Sequence, residues 1–302
     1  MPLFDIILPT YNNLAELQRC LQSLARQTFA DFRTIICIDG STDGTAEFLQ
    51  RDTFPFPVVI TQHPDGKNHG RNPTRNLSLP YISAEYLLFL DSDVELRPDC
   101  LQRHIEALTD RDCISVGDVQ YTNAGENYWA DYLQTRGKNK YADGSEIPPQ
   151  YFITQNAAHR SRYFTEAGGQ DGTITKYGGG DTEYALRLHK LYNLPTIFNA
   201  KAAGDSAMNK TLPEALNQME LFGATNLKYL AKKYPENKAI FGLDILEGKE
   251  LSSKLRRFIL NYSTARIVEK ILGVFPAFLR RKAIHVCVAA RIKRGYFMKV
   301  KQ

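Results

Sequence analysis

Short runs of apolar residues, each ending in polar side chains, recur along the first part of the chain. They predict β-strands at residues 3–12, 32–39, 58–63 and 86–91. Between these runs, residues 14–27 carry leucines at helical spacing, and a second helix is predicted at residues 71–79. Such alternation of strand and helix is typical of an α/β fold with a parallel sheet, in which polar groups collect at the strand ends.

The apolar run at 86–90 passes directly into two carboxylates, Asp91 and Asp93. Its aromatic and branched residues predict a strand that is buried on both faces of the sheet. Because an unpaired buried carboxylate is costly, two of them at this position require a cation or a polar ligand in front of them. Carboxylate oxygens suit Mg²⁺ or Mn²⁺, which also bridge diphosphates. The alternative is a turn that caps the following helix.

Polar motifs follow the other predicted strands and continue into the second part of the chain. They occupy residues 9–12, 39–45, 74–76, 91–93, 164–171 and 177–188. In this order and spacing, over roughly residues 3–205, the chain resembles the inverting, nucleotide-sugar-dependent glycosyltransferases of family 2. The resemblance implies the GT-A fold, which is a Rossmann-like, mostly parallel sheet flanked by helices.

The resemblance assigns the first two strand ends to the nucleotide. Pro9, Thr10 and Tyr11 match residues that cup the base, and Tyr11 offers a ring face for stacking. Asp39 matches the carboxylate that accepts a hydrogen bond from the base, commonly uracil. The family usually has two acidic residues here, whereas Ile38 precedes Asp39 in this chain, which leaves the base open. A helix-capping turn residue is the alternative for Asp39.

Three residues on the helix before the aspartate strand, and one later residue, are implied to line the donor site. Arg71 and Arg75 would meet the diphosphate, since a guanidinium offers a planar fork of donors, and Asn76 lies beside them. Solvated arginines on an exposed helix are the alternative. Asn156 matches a position at which the family lines the donor-sugar pocket.

The resemblance also gives the aspartate pair its roles. Asp93 would hold Mn²⁺ or Mg²⁺ against the two phosphates, and Asp91 would bind the ribose or share the metal. Many relatives add a His ligand after the strand that follows the base helix, but residues 202–206 contain no His, and Asp205 is the candidate substitute. No histidine pair has the spacing of a zinc site, so none is predicted.

Asp181 is the candidate catalytic base. It opens a predicted helix at the edge of a glycine-rich loop that includes Gly179 and Gly180. In the family, the equivalent Asp deprotonates the acceptor hydroxyl, which then attacks the anomeric carbon and inverts its configuration. The family pattern is usually Glu-Asp, whereas this chain has Gly180-Asp181. Glu183 is the reserve candidate, and a plain helix cap is the alternative for Asp181. The predicted inward face of the helix carries Tyr184, Leu188 and Leu191.

The segment at residues 123–150 contains Trp129, the one tryptophan of the chain. Aromatic rings stack on sugar faces, so Trp129 is a candidate for an acceptor subsite. The alternative is a core residue, because the aromatics around it have helical spacing.

The length and composition suit one catalytic domain with an appendage. The chain has 302 residues, of which 43% are hydrophobic. We predict a catalytic domain at 1–210, with a nucleotide-binding half at about 1–95 and an acceptor half at about 96–210, followed by a helical region at 211–302. Five scattered cysteines indicate reduced thiols, as in a cytosol. No charged-then-apolar leader precedes the first strand.

Residues 249–302 are strongly basic, with fourteen Lys and Arg against two Glu. Their net charge is +12, and because the whole chain carries +5, residues 1–248 carry −7. The apolar runs at 271–279 and 283–290 are shorter than the ~20 residues that a spanning helix needs. Short apolar faces fringed by cations are typical of helices in an anionic membrane interface, here with Phe275, Phe278 and Leu279 inserted. A packed helical cap is the alternative, and nucleic acid is not expected as a partner.

Together these observations favour a metal-dependent, inverting glycosyltransferase of the hexosyltransferase type on the cytoplasmic face of the inner membrane. The donor would be a nucleotide-diphosphate sugar, specifically a UDP-sugar, and the acceptor a glycan or lipid-linked glycan of cell-envelope polysaccharide synthesis. A nucleotidyltransferase is one alternative, but it needs a Gly-rich, Arg-containing loop where this chain has residues 9–13. A non-catalytic membrane- or nucleic-acid-binding protein on a transferase scaffold is another, and the presence of Asp91, Asp93 and Asp181 together argues against it.

Overall fold

The computed structural model describes residues 3–298, and one mixed sheet with helices on both faces forms its framework. The strands are β1 Phe4–Thr10, β2 Phe32–Ile38, β3 Val58–Gln62, β4 Tyr86–Leu90, β5 Val94–Leu96, β6 Ile114–Tyr121, β7 Glu146–Ile147, β8 Asn156–Arg160 and β9 Thr196–Ser206. The helices of the first part are α1 Leu14–Ala25, α2 Thr45–Arg51, α3 Arg71–Asn76, α4 Cys100–Asp110, α5 Tyr128–Gln134, α6 Ser161–Glu166 and α7 Gly180–Tyr192. Those that follow are α8 Leu212–Ala224, α9 Asn226–Lys233, α10 Leu243–Glu247, α11 Leu251–Ile259, α12 Tyr262–Ile271 and α13 Ala277–Phe297.

The strands lie in the order β3-β2-β1-β4-β8-β6-β9-β5, and β7 pairs with β9. The first four strands of this order are parallel. β8 runs antiparallel to β4 and β6, whereas β9 is parallel to β6 and antiparallel to β5 and β7. The predicted α/β class is confirmed, with the parallel pairing concentrated in the first 90 residues. The carboxyl ends of β1, β2 and β4 therefore meet at one edge of the sheet, where the polar motifs follow.

Alternate side chains of the central strands fill two apolar cores. Ile6 of β1 and Leu88 of β4 face the core under α1, α2 and α4, whereas Ile7 and Phe89 face the core under α6 and α7. Because both faces of these strands are covered, their sequences are unbroken apolar runs rather than alternating ones. The sheet is thereby a rigid support for the loops at its carboxyl edge.

Several predicted boundaries differ from the structure for local reasons. α3 ends at Asn76 rather than at residue 79, and a separate 3-10 turn that contains Pro80 follows at Leu79–Tyr81. The strand that follows α7 is β9, which extends to Ser206. Leu191 is exposed rather than inward, since α7 buries Tyr184, Ala185 and Leu188 instead. The five cysteines are buried and form no disulfide within residues 3–298, in agreement with the prediction.

The chain divides into two compact units. The first comprises the residues up to 122 together with 134–175 and 180–207, and it contains the whole sheet. The second comprises 123–133, 176–179 and the residues from 208 onward, and helices of this unit pack around a core of their own. Residues 123–133 and 176–179, which the prediction placed within 1–210, thus group with the helices that follow residue 207. No helix in residues 3–298 is long and apolar enough to cross a membrane.

Asp5 at the start of β1 is a fully buried carboxylate with four donors. Its Oδ1 accepts from Nε and Nη2 of Arg33 at 2.9 and 2.7 Å, and its Oδ2 accepts from the backbone N–H groups of Ser83 and Ala84 at 2.7 and 2.9 Å. The carboxylate therefore ties β2 and the segment before β4 to β1. This network lies at the amino end of the strands, at the edge opposite to the polar motifs.

We expect Asp5→Asn to lower the free energy of unfolding by about 3–5 kcal/mol, because Arg33 would remain half-buried without its counter-ion. Urea unfolding followed by circular dichroism measures this change. Asp52→Asn is the matched control, since its ion pair with Arg51 at 3.6 Å is exposed, and its cost should be below about 1 kcal/mol. Equal costs for the two variants would contradict the importance given to Asp5.

Candidate active site

Asp91 follows β4 at the carboxyl edge of the sheet, and a buried arginine neutralises it. Nη2 of Arg75 donates to Oδ1 of Asp91 at 2.6 Å, and Arg75 is 1% exposed. Burial raises the pKa of Asp91, but the charges of Arg75 and Arg71 outweigh this effect and hold the pKa below its usual value. Asp91 is therefore ionised, and the protein already occupies one of its two oxygens.

Arg75 was predicted either to meet the diphosphate or to be solvated on an exposed helix, and its burial agrees with neither. It is not solvated, and its guanidinium is turned toward Asp91 and Oε1 of Gln170 rather than toward a ligand. Arg71, in contrast, is mostly exposed, with Nη1 4.0 Å from Oδ2 of Asp91. Asn76 also has a structural contact, because its side chain accepts from the backbone N–H of Gln170 and donates to its carbonyl, both at 2.8 Å. Of the three residues on α3, Arg71 is the one that remains open to a diphosphate.

Asp93 has a buried oxygen that nothing in the structure satisfies. Its Oδ1 has no hydrogen-bond partner among residues 3–298. Burial raises the pKa of Asp93, and the negative charge of Asp91 raises it further, to about 6. Both effects oppose the ionised form, so a cation at this position would stabilise the carboxylate. The donors present, Oδ1 of Asp93 and the carboxylate of Asp91, are hard oxygens that fit Mn²⁺ or Mg²⁺.

The third predicted ligand, Asp205, has another partner. Its two carboxylate oxygens accept from Nη2 and Nε of Arg97 at 3.0 and 3.3 Å. Asp205 and Asp93 line the same cavity of about 350 Å³, but within the described part of the chain no three acidic, His or Cys side chains are grouped as a metal site. Asp205 is thus not assembled with Asp91 and Asp93 into a three-ligand site in this structure.

Asp181 is the second residue of α7, and its carboxylate is oriented by a threonine. The hydroxyl of Thr154 donates to Oδ1 of Asp181 at 2.9 Å. Burial raises the pKa of Asp181, Arg75 opposes this rise, and the charge of Asp91 adds to it, with a net result above the usual value. A carboxylate with a raised pKa is a better proton acceptor, as a general base requires.

The glycine before Asp181 accommodates a close neighbour. A Cβ at position 180 would lie 2.7 Å from Oδ1 of Asn72, whose buried side chain donates to the carbonyl of Asp171. There is consequently no room for the Glu that the family usually has here. Gly179 belongs to the second unit, has φ +86°, and would place a Cβ 2.6 Å from Cδ1 of Leu230. Both glycines are therefore explained by packing, independently of any ligand.

The end of β1 presents one aromatic ring to solvent. Tyr11 is 50% exposed, so its ring faces are accessible for stacking. Pro9 and Thr10 are buried, and the hydroxyl of Thr10 donates to Oδ1 of Asn13 at 2.7 Å. These two residues shape the turn behind Tyr11 rather than an open surface.

The carboxylate of Asp39 at the end of β2 organises the following loop. It accepts from the backbone N–H groups of His69 and Gly70 at 2.7 and 3.1 Å and from Nδ2 of Asn68 at 2.9 Å. A carboxylate has about four acceptor positions, so three donors leave little capacity for a base. For Asp39 to contact the nucleotide base as predicted, the loop at 68–70 would have to move and release one of these hydrogen bonds.

Three other predicted site residues are buried and have structural partners. Asn156 on β8 accepts from Nε2 of His104 and donates to the carbonyl of Ala202, both at 2.9 Å, so it does not line a pocket. Glu183 is fully buried and paired with Arg187 at 3.0 Å, which excludes it as a solvent-facing reserve base. Trp129 packs in the core of the second unit, as the core interpretation predicts, and its ring is not open to a sugar.

Thr154 and Gln170 are site residues that the sequence analysis did not identify. Gln170 contacts Arg75 and lies within the motif at 164–171, which was assigned no residue role. Thr154 lies two residues before Asn156, and nothing in its sequence context indicates a contact with Asp181. Such contacts between distant segments depend on the tertiary fold.

The profile of glycosyl transferase family 2 matches residues 5–169, which is more than half of the chain. The chain belongs to this family. The transferase is 23% identical over 237 residues to YfnE, an uncharacterized glycosyltransferase of Bacillus subtilis, covering 62% of this chain and 60% of that protein. It is 32% identical over 167 residues to the chondroitin synthase of Pasteurella multocida, covering 55% of this chain and 16% of that protein. The chain thus spans less than two thirds of the length of each of these two relatives.

Solved structures confirm the GT-A fold of the transferase. It is similar to the mannosyltransferase PcManGT from Pyrobaculum calidifontis in complex with GDP-Man and Mn²⁺, with a TM-score of 0.62, 16% identity, and coverage of 97% of this chain and 87% of that chain. It is also similar to TarS 1-349 of S. aureus in complex with UDP, with a TM-score of 0.55, 17% identity, and coverage of 97% and 88%. At these identities the similarity shows the fold alone. The family match removes the nucleotidyltransferase alternative.

We expect Asp93→Asn to abolish Mn²⁺ binding by the transferase, because the amide lacks the charge that would hold the ion. Titration of the protein with Mn²⁺ alone, followed by electron paramagnetic resonance of the free ion, measures this binding. Asp205→Asn is the matched control and should bind Mn²⁺ as the wild type does, since Arg97 already occupies Asp205. An equal loss in both variants would identify Asp205 as a ligand after all.

Proposed function

We propose that this protein is a metal-dependent, inverting glycosyltransferase that moves a sugar from a UDP-sugar to a glycan or lipid-linked acceptor in cell-envelope polysaccharide synthesis. The observation that carries the proposal is the unsatisfied, buried Oδ1 of Asp93 next to the Asp91–Arg75 ion pair, with the half-buried base candidate Asp181 in the same charge network. The named functions of relatives support the acceptor class. They include chondroitin synthases, a putative teichuronic acid biosynthesis glycosyltransferase, and the GalNAc(5)-diNAcBac-PP-undecaprenol beta-1,3-glucosyltransferase of Campylobacter jejuni.

The donor would be held from three sides by residues of the sheet edge. The ring of Tyr11 would stack on the base, Arg71 would meet the diphosphate, and Asp93 would hold the metal ion, with Asp91 kept ionised and oriented by Arg75. When bound, Mn²⁺ or Mg²⁺ neutralises the charge that develops on the leaving nucleoside diphosphate. Burial of these carboxylates strengthens every electrostatic contact with the donor, because the surroundings are less polarisable than water.

Asp181 would take the proton from the acceptor hydroxyl. The oxygen then attacks the anomeric carbon from the side opposite the diphosphate, its new bond replaces the bond to the leaving group, and the configuration inverts. Thr154 donates to Oδ1 of Asp181 and so orients the carboxylate. The other oxygen, Oδ2, is then available for the proton. The raised pKa of Asp181 makes proton transfer more favourable than for a solvated aspartate.

The same proposal includes the domain roles and the location. Residues 1–95 would bind the nucleotide and residues 96–210 the acceptor, while the basic residues 249–302 would keep the enzyme on the anionic cytoplasmic face of the inner membrane. Residues 299–302 lie outside the described residues. A peripheral position suits a lipid-linked acceptor, because such a substrate is confined to the membrane surface.

Asp181→Asn should retain donor binding and lose turnover by ~10²-fold or more, because the amide keeps the shape of the side chain but cannot accept the proton. The donor is first identified by thermal shift with a panel of nucleotide sugars and Mn²⁺, since a bound ligand raises the apparent stability. Affinity by calorimetry and turnover by UDP release are then compared. Turnover close to that of the wild type would refute the assignment of the base, and no thermal shift with any nucleotide would favour the non-catalytic alternative.

Thr154→Val should shift the acid limb of the kcat profile to higher pH. The hydroxyl of Thr154 stabilises the ionised form of Asp181, so its removal raises a pKa that already lies above the usual value. Since the base acts when ionised, turnover falls as the pH decreases through this pKa, and the fall begins earlier in the variant. The rate on the high-pH plateau should change little. Thr154→Ser, which keeps the hydroxyl, is the control and should restore the limb to its wild-type position.

A further inference from the structure

Helix α11 is oriented with its apolar side outward. Leu251, Leu255 and Phe258 are spaced by four and three residues, which places them on one face, and they are 82%, 58% and 78% exposed. The inward face is polar instead. Ser253 donates to the carbonyl of Asp244, and Nη1 of Arg257 donates to the carbonyls of Ile245 and Gly248 at 2.7 Å each. The protein thus uses the polar face of this helix for its own packing.

The next helix continues the exposed apolar surface. Ile267, Ile271 and Val274 have the same spacing of four and three residues and are exposed, whereas Ala265 and Leu272 on the other side are buried. Phe278 and Leu279 at the start of α13 are exposed as well. We define the apolar stripes as the outward side chains of α11, α12 and the segment that leads into α13, namely Leu251, Leu255, Phe258, Ile267, Ile271, Val274, Phe278 and Leu279. Large apolar side chains that are exposed in such number are typical of an interaction surface.

The remainder of the basic region is turned inward, which corrects part of the sequence prediction. Ile284, Cys287 and Val288 of the run at 283–290 are buried in the core of the second unit, and Phe275 packs against the same core. The apolar stripes, rather than the whole tail, are therefore the surface that is open to a partner.

The charges around the stripes identify the chemistry of that partner. Lys254 and Arg256 on α11, Arg266 and Lys270 on α12, and Lys282 on α13 flank the exposed side chains. Between residues 249 and 298, Lys and Arg greatly outnumber the two acidic residues, Glu250 and Glu269. A second copy of this chain would bring two strongly positive surfaces together, which is unfavourable. An anionic bilayer instead offers negative headgroups to the cations and hydrocarbon to the stripes.

We propose that the apolar stripes insert into the interface of an anionic lipid bilayer, with α11 and α12 lying in the membrane plane and the flanking Lys and Arg on the headgroups. This inference rests on the membrane location within the proposed function and deepens it, because it names the helices and side chains that make the contact. Apolar side chains on helices that lie in the membrane plane reach the boundary between headgroups and acyl chains without crossing the bilayer.

The test is co-sedimentation of the full chain with vesicles of phosphatidylglycerol and phosphatidylethanolamine at low salt. The wild type should bind, and Leu255→Glu combined with Phe258→Glu should weaken binding by at least about tenfold, because each Glu adds a negative charge and removes inserted apolar surface. Leu191→Glu is the matched control, since Leu191 is an exposed leucine of α7 in the first unit, and it should bind as the wild type does. Salt should weaken the binding of the wild type by screening the cations.

Further measurements decide among the remaining outcomes. Thermal shift with UDP and Mn²⁺ should be equal in all variants, which separates this inference from the proposed function; vesicle binding without any nucleotide shift would refute the function alone. Should the double variant unfold, Leu251→Gln replaces it, because this side chain is the most exposed of the stripes. A wild type that stays in the supernatant, or a double variant that sediments equally, overturns the proposal. Self-association that the variant abolishes, without vesicle binding, would make a second copy the occupant and would also overturn it.

Discussion

The ion pair between Arg75 and Asp91 is the interaction on which the rest of the site depends. A guanidinium that is 1% exposed is stable when a fixed negative charge lies beside it, and Asp91 at 2.6 Å supplies that charge. The same negative charge then acts on its neighbours. Burial raises the pKa of Asp93 and the charge of Asp91 raises it further, so this carboxylate gains from a cation. Burial also raises the pKa of Asp181, where Arg75 opposes the rise and Asp91 adds to it. Burial and one ion pair together therefore give three similar aspartates different properties.

Much of the framework follows from local sequence. The unbroken apolar runs predict β1, β2, β3 and β4 because these strands are covered on both faces, and a carboxylate directly after such a run is predictably at the sheet edge. Asp91 and Asp93 could be found in this way, whereas Asp181 was identified from the family resemblance and its position at the start of a predicted helix. The burial of Arg75 could not, because a short helix with polar residues on all sides has no periodicity to indicate which side faces inward. The contacts of Asn76 and Asn156 could not be predicted either, because their partners come from segments that are distant in sequence. Glu183 has a local partner, Arg187 one helical turn away, but its complete burial depends on the tertiary fold.

The second unit shows a different limit of sequence patterns. Composition indicates a basic region with short apolar runs, yet it does not distinguish the run that fills a core from the residues that face outward. That distinction depends on Arg257, whose guanidinium donates to the carbonyls that α10 leaves unpaired at its end. With this contact made, the polar side of α11 is committed to the protein, and its leucines and phenylalanine turn away. From its sequence position, Arg257 would be counted among the cations that face a membrane. Its contacts show instead that it fixes which face of α11 is exposed.

The close approach of Gly180 to Asn72 has a consequence for how this sequence could vary. A side chain at position 180 requires the space of the Asn72 amide, which in turn holds the carbonyl of Asp171 at 3.1 Å. The two positions are therefore epistatic: a Glu at 180 becomes compatible with the fold after residue 72 has become smaller and the backbone near 171 has found another donor. In an alignment of close relatives, the Glu-Asp and Gly-Asp forms of this motif should accordingly occur with different residues at position 72. Exchange of the motif alone between the two groups should destabilise the fold.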